Sequence, residues 1–290
     1  MNGNVVEEIL EIVKAEFPID EKFVIQKHRL MPSVTDGREK RICIVTGIHG
    51  DELEGQYVCY ALAKRIRERP ECLKGIVDIY PAMNPLGIDS ITRGIPAFDL
   101  DMNRIFPGNL EGDMNEYLAS RIVEDCAGAD LCVDIHASNI FLTEVPQIRI
   151  NELHKEVLVP IAEKANMDLI WVHGNSTVLE STFAYSMNHI GVNTLVVEMG
   201  VGMRITRSYG NQMTDGILSM MAQMGIWDGE VPYIKRPVIA LDRLGTDICY
   251  LNAPVSGVYL KEKEAGSMVS EGEKIGSIVD ALNGRILARI

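Results

Sequence analysis

The chain has 290 residues, of which 47% are hydrophobic and 24% are charged, and its formal net charge at pH 7 is −13. This composition excludes a disordered chain and suffices for one large domain, or for one large and one small domain. The strong negative charge argues against nucleic acid or an anionic membrane as a partner. Because no apolar run approaches the roughly 18 residues that span a bilayer, and the first residues lack a signal-peptide pattern, we expect a soluble, cytoplasmic protein.

The first third of the chain contains the elements that lead to the candidate site. The apolar pattern of residues 4–16 has helical spacing and predicts a helix that ends at Pro18. A strand is predicted to begin at 23–25. The apolar run 42–45 predicts a buried strand, which is followed by a helix ending near Arg69.

A long irregular segment, about 81–112, follows a predicted buried strand at 75–80. Such a long loop is uncommon inside a compact domain unless it has a function. Beyond it, helices are predicted at 113–127, 154–165, 179–190 and 211–225, and strands at 131–136, 145–150, 169–172 and 194–198. This alternation is typical of a layered α/β domain with a largely parallel sheet.

The composition changes after Trp227. Short alternating runs with frequent glycine predict a small all-β domain over 231–290, after a main domain over 1–230. Parts of it resemble the turns of biotinyl and lipoyl domains, which have a barrel-sandwich fold. The hairpin at 279–284 has no lysine to carry such a cofactor. We therefore interpret this module as structural, or as a cover for the active site.

His49 and Glu52 lie where a predicted strand is followed by a helix. In α/β sheets, ligands bind outside the carboxyl ends of the strands. A catalytic zinc usually takes two ligands with a short spacing and a third from far along the chain, and keeps one position open. We therefore predict that His49 and Glu52 are zinc ligands. The alternative is an ordinary helix start, at which Asp51 and Glu52 are stabilised by the helix dipole.

The third ligand should end another strand at the same edge of the sheet, and His136 does so. His173 also ends a predicted strand and is the weaker competitor. Asp134 precedes His136 by two residues, so both side chains leave the strand on one face. Asp134 is therefore predicted to accept the free N–H of the ligating histidine. A buried aspartate bonded only to backbone is the alternative.

Five motifs carry a resemblance to a known family. They are His49-x-x-Glu52, Asn84-Pro85 with Thr92-Arg93, Asp101-x-Asn103-Arg104-x-Phe106-Pro107-Gly108, Asp134-x-His136 and Glu198-x-Gly200. In this order they resemble the succinylglutamate desuccinylase/aspartoacylase family, a branch of the zinc carboxypeptidase-like fold. The resemblance covers about residues 40–225. It implies a three-layer α/β/α domain with a mixed, largely parallel sheet, and one zinc ion per chain.

The resemblance also implies a role for the motif residues. The zinc ion would be held by His49, Glu52 and His136. Glu198 would be the general base and acid, taking a proton from the attacking water and returning one to the leaving amine. Arg93 would stabilise the tetrahedral oxyanion. Asn103 and Arg104 would bind the α-carboxylate of the substrate.

The sequence thus predicts a zinc-dependent amidohydrolase that cleaves a small N-acyl amino acid. Two alternatives stay open: a metallocarboxypeptidase that acts on peptides, and a catalytically silent binding module with the same fold. The acyl group and the amino acid do not follow from the sequence, and Arg149, Arg204 and Arg207 have no predicted role. A homo-oligomer is compatible with the sequence, although no particular residue indicates one.

Overall fold

The computed structural model describes residues 5–16, 19–20, 22–96, 98–174, 179–242 and 246–290. They form two compact units, of which the first ends at Ile239 and the second spans Ala240–Ile290. The boundary predicted between residues 230 and 231 stays a prediction. None of the described helices has the length and apolar character needed to cross a bilayer.

A mixed β-sheet forms the centre of the first unit. Within the described residues its strands are β1 (Val5–Glu16), β2 (Lys22–Pro32), β3 (Arg41–Thr46), β4 (Ile76–Tyr80), β5 (Leu131–His136), β6 (Glu144–Asn151), β7 (Leu169–His173), β8 (Thr194–Gly200) and β9 (Val238–Leu241), of which only the first two residues belong to this unit. Their spatial order is β1-β2-β4-β3-β5-β8-β6-β7-β9. The pairs β3–β4, β3–β5, β5–β8 and β6–β7 are parallel, whereas β1–β2, β2–β4 and β6–β8 are antiparallel.

Helices cover both faces of this sheet. They are α1 (Glu54–Glu68), α2 (Pro85–Ser90), α3 (Met114–Cys126), α4 (Lys155–Ala162), α5 (Phe183–His189) and α6 (Arg207–Met224). Cys43 and Val45 of β3 share one buried cluster with side chains of α3 and α5. Ile42 and Ile44 point to the opposite face because side chains alternate along a strand. The helix α1 packs on β3 and against α6, so the predicted three-layer α/β/α fold is confirmed.

The helix predicted for residues 4–16 is wrong, because Val5–Glu16 is the strand β1, paired antiparallel with β2. Its apolar residues are mainly the β-branched Val and Ile, which favour strands. The pairing register shifts between Glu11 and Val13, and such a bulge interrupts the alternation by which a strand is recognised. Pro18, predicted to end the helix, lies outside the described residues. The other predicted elements of this unit are present with shifted ends.

The second unit contains a small antiparallel sheet. Its described strands are β10 (Val258–Lys261), β11 (Gly276–Asp280) and β12 (Arg285–Arg289), in the order β10-β11-β12. The all-β character predicted for this part of the chain is confirmed. The hairpin without a cofactor lysine joins β11 to β12. The predicted role of the module, structural or as a cover, stays a prediction.

A buried ion cluster links β2 and β4 in the main sheet. Asp78 of β4 is fully buried and accepts two hydrogen bonds of 2.7 Å from Arg29. Lys27 is only 4% exposed and lies 3.3 Å from Asp78 and 2.7 Å from Asp125. Removing one partner of a buried ion pair leaves an uncompensated charge in a medium of low polarity.

We therefore expect Asp78→Asn to lower the free energy of unfolding by about 3 kcal/mol. Urea denaturation followed by circular dichroism measures this change. The control is Asp228→Asn, because Asp228 pairs with Lys74 at an exposed site, where an ion pair contributes less than about 1 kcal/mol. Equal stability of the two variants would contradict a stabilising role for the cluster.

Candidate active site

The three predicted zinc ligands meet at the carboxyl edge of the sheet. His49 and Glu52 lie in the turn between β3 and α1, and His136 is the last residue of β5. Because β3 and β5 are adjacent and parallel, their ends lie side by side. One donor atom from each of the three residues lies within 4.8 Å of the others. The three residues are buried, with exposed fractions of 3%, 4% and 4%.

Two glycines shape this turn. Gly47 has a φ of +69°, which favours glycine. A Cβ atom on Gly50 would lie 1.9 Å from the carbonyl carbon of Gly87, so only glycine allows the segment around α2 to pack on the turn. The N–H of Gly50 donates to the carbonyl of Thr92 at 3.1 Å. This contact brings Arg93 to the site.

The carboxylate of Glu52 lies between the two histidine rings. His49 Nδ1 is 2.7 Å from Glu52 Oε1, and His136 Nδ1 is 3.0 Å from Glu52 Oε2. The backbone N–H of Ala137 also donates to Oε2 at 3.0 Å. Burial opposes ionisation of Glu52, but the two histidines outweigh it and hold the pKa of Glu52 well below its usual range.

A second carboxylate lies beside the outer nitrogen of each ring. Asp134 Oδ2 is 3.1 Å from His136 Nε2, although the two atoms are not aligned as a hydrogen bond. Asp101 Oδ1 is 3.0 Å from His49 Nε2. Asp101 has no role predicted from the sequence, in which its position two residues before Asn103 is the signal that indicates it. A carboxylate behind a ligating histidine fixes the ring and its tautomer.

This donor set fits a catalytic zinc. If each ring carries its proton on Nε2, beside its aspartate, the lone pair of its Nδ1 faces the carboxylate of Glu52. Electron-rich atoms then converge on one point, where they could hold a metal ion. Burial would lower the pKa of both rings, but carboxylates outweigh it and raise the pKa of His49 and of His136. Two histidines and one glutamate are a usual ligand set for catalytic zinc.

We expect Asp101→Asn to weaken zinc binding by about tenfold or more, because the ring of His49 loses its carboxylate partner. Competition with a chelating dye measures the affinity. The matched control is Asp99→Asn, since Asp99 is an exposed loop residue whose left-handed backbone asparagine tolerates. Equal affinities of the two variants and the wild type would rule out this role for Asp101.

Glu198 lies in β8, and its partner in the neighbouring strand β5 is His136. Burial raises the pKa of Glu198 to about 7, against the attraction of His136 and Arg149. A carboxylate with this pKa can both take up and release a proton near neutral pH. Glu198 thus stands beside the metal-ligand group, as its predicted role requires.

The long loop after β4 carries Arg93, Asn103 and Arg104 to the same place. Arg93 donates to Glu52 Oε1 at 3.2 Å and to Asp101 Oδ2 at 3.3 Å. The side-chain oxygen of Asn103 accepts the N–H of Phe183 at 2.9 Å, so its NH₂ group can donate to a ligand. Arg104 donates to the carbonyl of Asn103 at 2.7 Å.

A cavity of about 230 Å³ lies beside the candidate metal ligands. The predicted residues that line it are His49, Arg93, Asn103, Arg104, Asp134, His136 and Glu198. His173, the competing ligand, also lines it, but is not among the residues whose donor atoms converge. Arg149 lines the cavity as well, whereas Arg204 and Arg207 are exposed.

Comparison with known proteins places the chain in a family. Residues 38–224 match the model described as the succinylglutamate desuccinylase/aspartoacylase catalytic domain. The chain belongs to the succinylglutamate desuccinylase/aspartoacylase family. An N-alpha-acetyl-L-2,4-diaminobutyric acid deacetylase from Halomonas elongata is 24% identical over 251 residues, which cover 85% of this chain and 72% of that relative.

Two solved structures show the same fold. A succinylglutamate desuccinylase/aspartoacylase from Rhodobacter sphaeroides matches with a TM-score of 0.76 and 24% identity, covering 99% of this chain and 88% of the other. A metallo-carboxypeptidase from Burkholderia cenocepacia matches with a TM-score of 0.58 and 16% identity, covering 75% of this chain and 65% of the other. The predicted resemblance to the family and its carboxypeptidase-like α/β fold are therefore confirmed.

Proposed function

We propose that this member of the desuccinylase/aspartoacylase family is a zinc-dependent deacylase, which hydrolyses the amide bond of small N-acyl amino acids. The observation that carries the proposal is the convergence of His49, Glu52 and His136 beside a cavity that Glu198 also lines. Family membership supports the reaction class. The name of the Halomonas relative, a deacetylase of an N-acetyl amino acid, points to the same class of substrate.

The metal site would supply the electrophile of the reaction. A zinc ion held by His49, Glu52 and His136 would polarise the substrate carbonyl and make water acidic enough to be deprotonated near neutral pH. Asp134 and Asp101 would hold the two histidine rings in place. The rest of the reaction depends on how other side chains position the substrate and move protons.

Glu198 would accept a proton from the attacking water at one carboxylate oxygen and later donate it to the leaving amine. Its pKa of about 7 suits both steps. Arg93 would donate hydrogen bonds to the developing oxyanion, since its guanidinium already lies 3.2 Å from the Glu52 carboxylate. The products would be a free carboxylate and a free amino acid.

Asn103 and Arg104 would bind the α-carboxylate. Asn103 is fixed by the N–H of Phe183 so that its NH₂ group remains available, and the planar guanidinium of Arg104 matches a carboxylate. A cavity of about 230 Å³ suits a small molecule better than a peptide. This volume favours the deacylase over the carboxypeptidase.

The test is an assay of the purified protein with N-acyl amino acids and with short blocked peptides, in which free amine is measured with and without a chelator. We expect hydrolysis of N-acyl amino acids that chelation abolishes and zinc restores. Faster cleavage of peptides would instead support the carboxypeptidase. No hydrolysis of either class by zinc-loaded protein would support the silent binding module.

A further inference from the structure

Three arginines line the cavity. They are Arg93, Arg104 and Arg149. The number of them that are free of carboxylate partners determines how many carboxylates of a ligand the cavity can bind. A carboxylate that is removed from water needs a cation or several hydrogen-bond donors in return. Arg93 pairs with Glu52 at 3.2 Å and with Asp101 at 3.3 Å, so two carboxylates of the metal site already balance its positive charge, and its remaining N–H groups are the donors that the proposed mechanism directs at the oxyanion.

Arg149 is also engaged. One of its terminal nitrogens pairs with Glu144, and the other lies 3.4 Å from Glu198 Oε1. Its guanidinium carbon lies 5.5 Å from the centre of the Trp171 ring. The remaining nitrogen, Nε, is buried and has no hydrogen-bond partner, so it is not open to a ligand. Two carboxylates thus surround a single positive charge.

Arg104 differs from the other two arginines. Its only hydrogen bond within the described residues is to the carbonyl of Asn103, and none of the described carboxylates pairs with it. Its side chain is exposed. In the part of the chain that the structure describes, the rest of the cavity wall carries no other fixed positive charge. It consists of the carboxylates of Asp134 and Glu198 and of amides, hydroxyls, imidazoles and apolar groups.

Glu144 is the residue that engages Arg149 without lining the cavity itself. It is the first residue of β6, and its Oε1 also accepts the amide of Gln147 at 2.9 Å. Its side chain is only 11% exposed. Because β6 pairs antiparallel with β8, Glu144 and Arg149 stand beside the strand of Glu198. Without Glu144, the terminal nitrogen of Arg149 that now pairs with it would be free to bind a carboxylate of the substrate.

We propose that this site accepts substrates with a single carboxylate, which Arg104 binds, and that Glu144 excludes a second one by occupying Arg149. The inference rests on the proposed deacylase function and specifies its substrate class. N-acetyl amino acids with a neutral or cationic side chain meet this requirement. N-succinyl amino acids and N-acetylaspartate do not, because each brings a second carboxylate into a cavity whose described residues offer no unpaired arginine besides Arg104.

The test compares kcat/KM for N-acetylmethionine, N-acetylaspartate and N-succinylmethionine. The wild type is expected to prefer N-acetylmethionine by about 100-fold or more. Glu144→Gln keeps the size of the side chain and removes its charge. The Glu144→Gln variant should show a roughly tenfold smaller preference in kcat/KM for N-acetylmethionine, mainly through a lower KM for the two dianionic substrates. Glu152→Gln is the matched control and should leave the preference unchanged, since Glu152 is exposed and its ion-pair partner among the described residues is Lys155, at 3.1 Å.

Two results would overturn the inference: a wild-type preference for dianionic substrates, or an equal loss of activity on all three substrates in Glu144→Gln. An equal loss on all three substrates would show that Glu144 has a merely structural role. Calorimetric binding of the same three compounds to chelator-treated wild-type protein, which keeps both Glu144 and Glu198 beside Arg149, separates this inference from the proposed function. Preferential binding of the monoanion without any hydrolysis by the wild type would refute the deacylase and leave the single-carboxylate rule intact.

Discussion

Replacing Glu198 with glutamine is expected to lower kcat by roughly 100- to 10,000-fold, the usual contribution of a general acid–base group. Glutamine has nearly the same shape but cannot accept a proton from water. The three proposed zinc ligands are unchanged, so we expect the zinc content to stay at one ion per chain. Steady-state kinetics and elemental analysis of the same sample measure both quantities.

The control for this variant is Glu156→Gln, which changes an exposed glutamate of α4. It should retain wild-type kcat. Because Glu198 carries no metal-binding role here, loss of zinc in Glu198→Gln would point to a structural function instead. Unchanged kcat would show that another group moves the proton.

The second large effect is expected for His136→Ala. This change removes one of three ligands and leaves Asp134 buried without its neighbouring ring. We expect the variant to lose its zinc on dialysis and its activity to fall at least about a thousandfold, which corresponds to roughly 4 kcal/mol of transition-state stabilisation. Zinc content after dialysis and kcat/KM with added zinc are the measurements.

His28→Ala is the matched control, because His28 belongs to β2 and pairs with Glu7 at 3.0 Å, outside the metal-ligand group. It should keep both zinc and activity. Retention of zinc by His136→Ala would mean that His173, the competing predicted ligand, or another residue completes the site.

The sequence predicts that the site residues lie close together, because each of them lies at or near the end of a strand. His49 follows β3, His136 ends β5 and Glu198 lies near the end of β8. These three strands are consecutive neighbours and parallel in the sheet. Parallel strands present their carboxyl ends at one edge, so residues far apart in the sequence meet there without any further information.

What could not be predicted depends on pairings that leave no local pattern. Asp101 reaches His49 only because the loop after β4 packs on the turn at Gly50. Glu144 and Arg149 approach Glu198 because β6 runs antiparallel beside β8. The apolar pattern of the edge strand β1 predicts a helix because its bulge disrupts the alternation of buried and exposed positions.

We propose above all that His49, Glu52 and His136 bind one catalytic zinc ion. The most direct test is a crystal structure of the protein with zinc, for which diffraction data are recorded on both sides of the zinc absorption edge. We predict a single anomalous peak between Nδ1 of His49, Nδ1 of His136 and the carboxylate of Glu52. An active, chelator-insensitive protein with no peak at this position would contradict the claim.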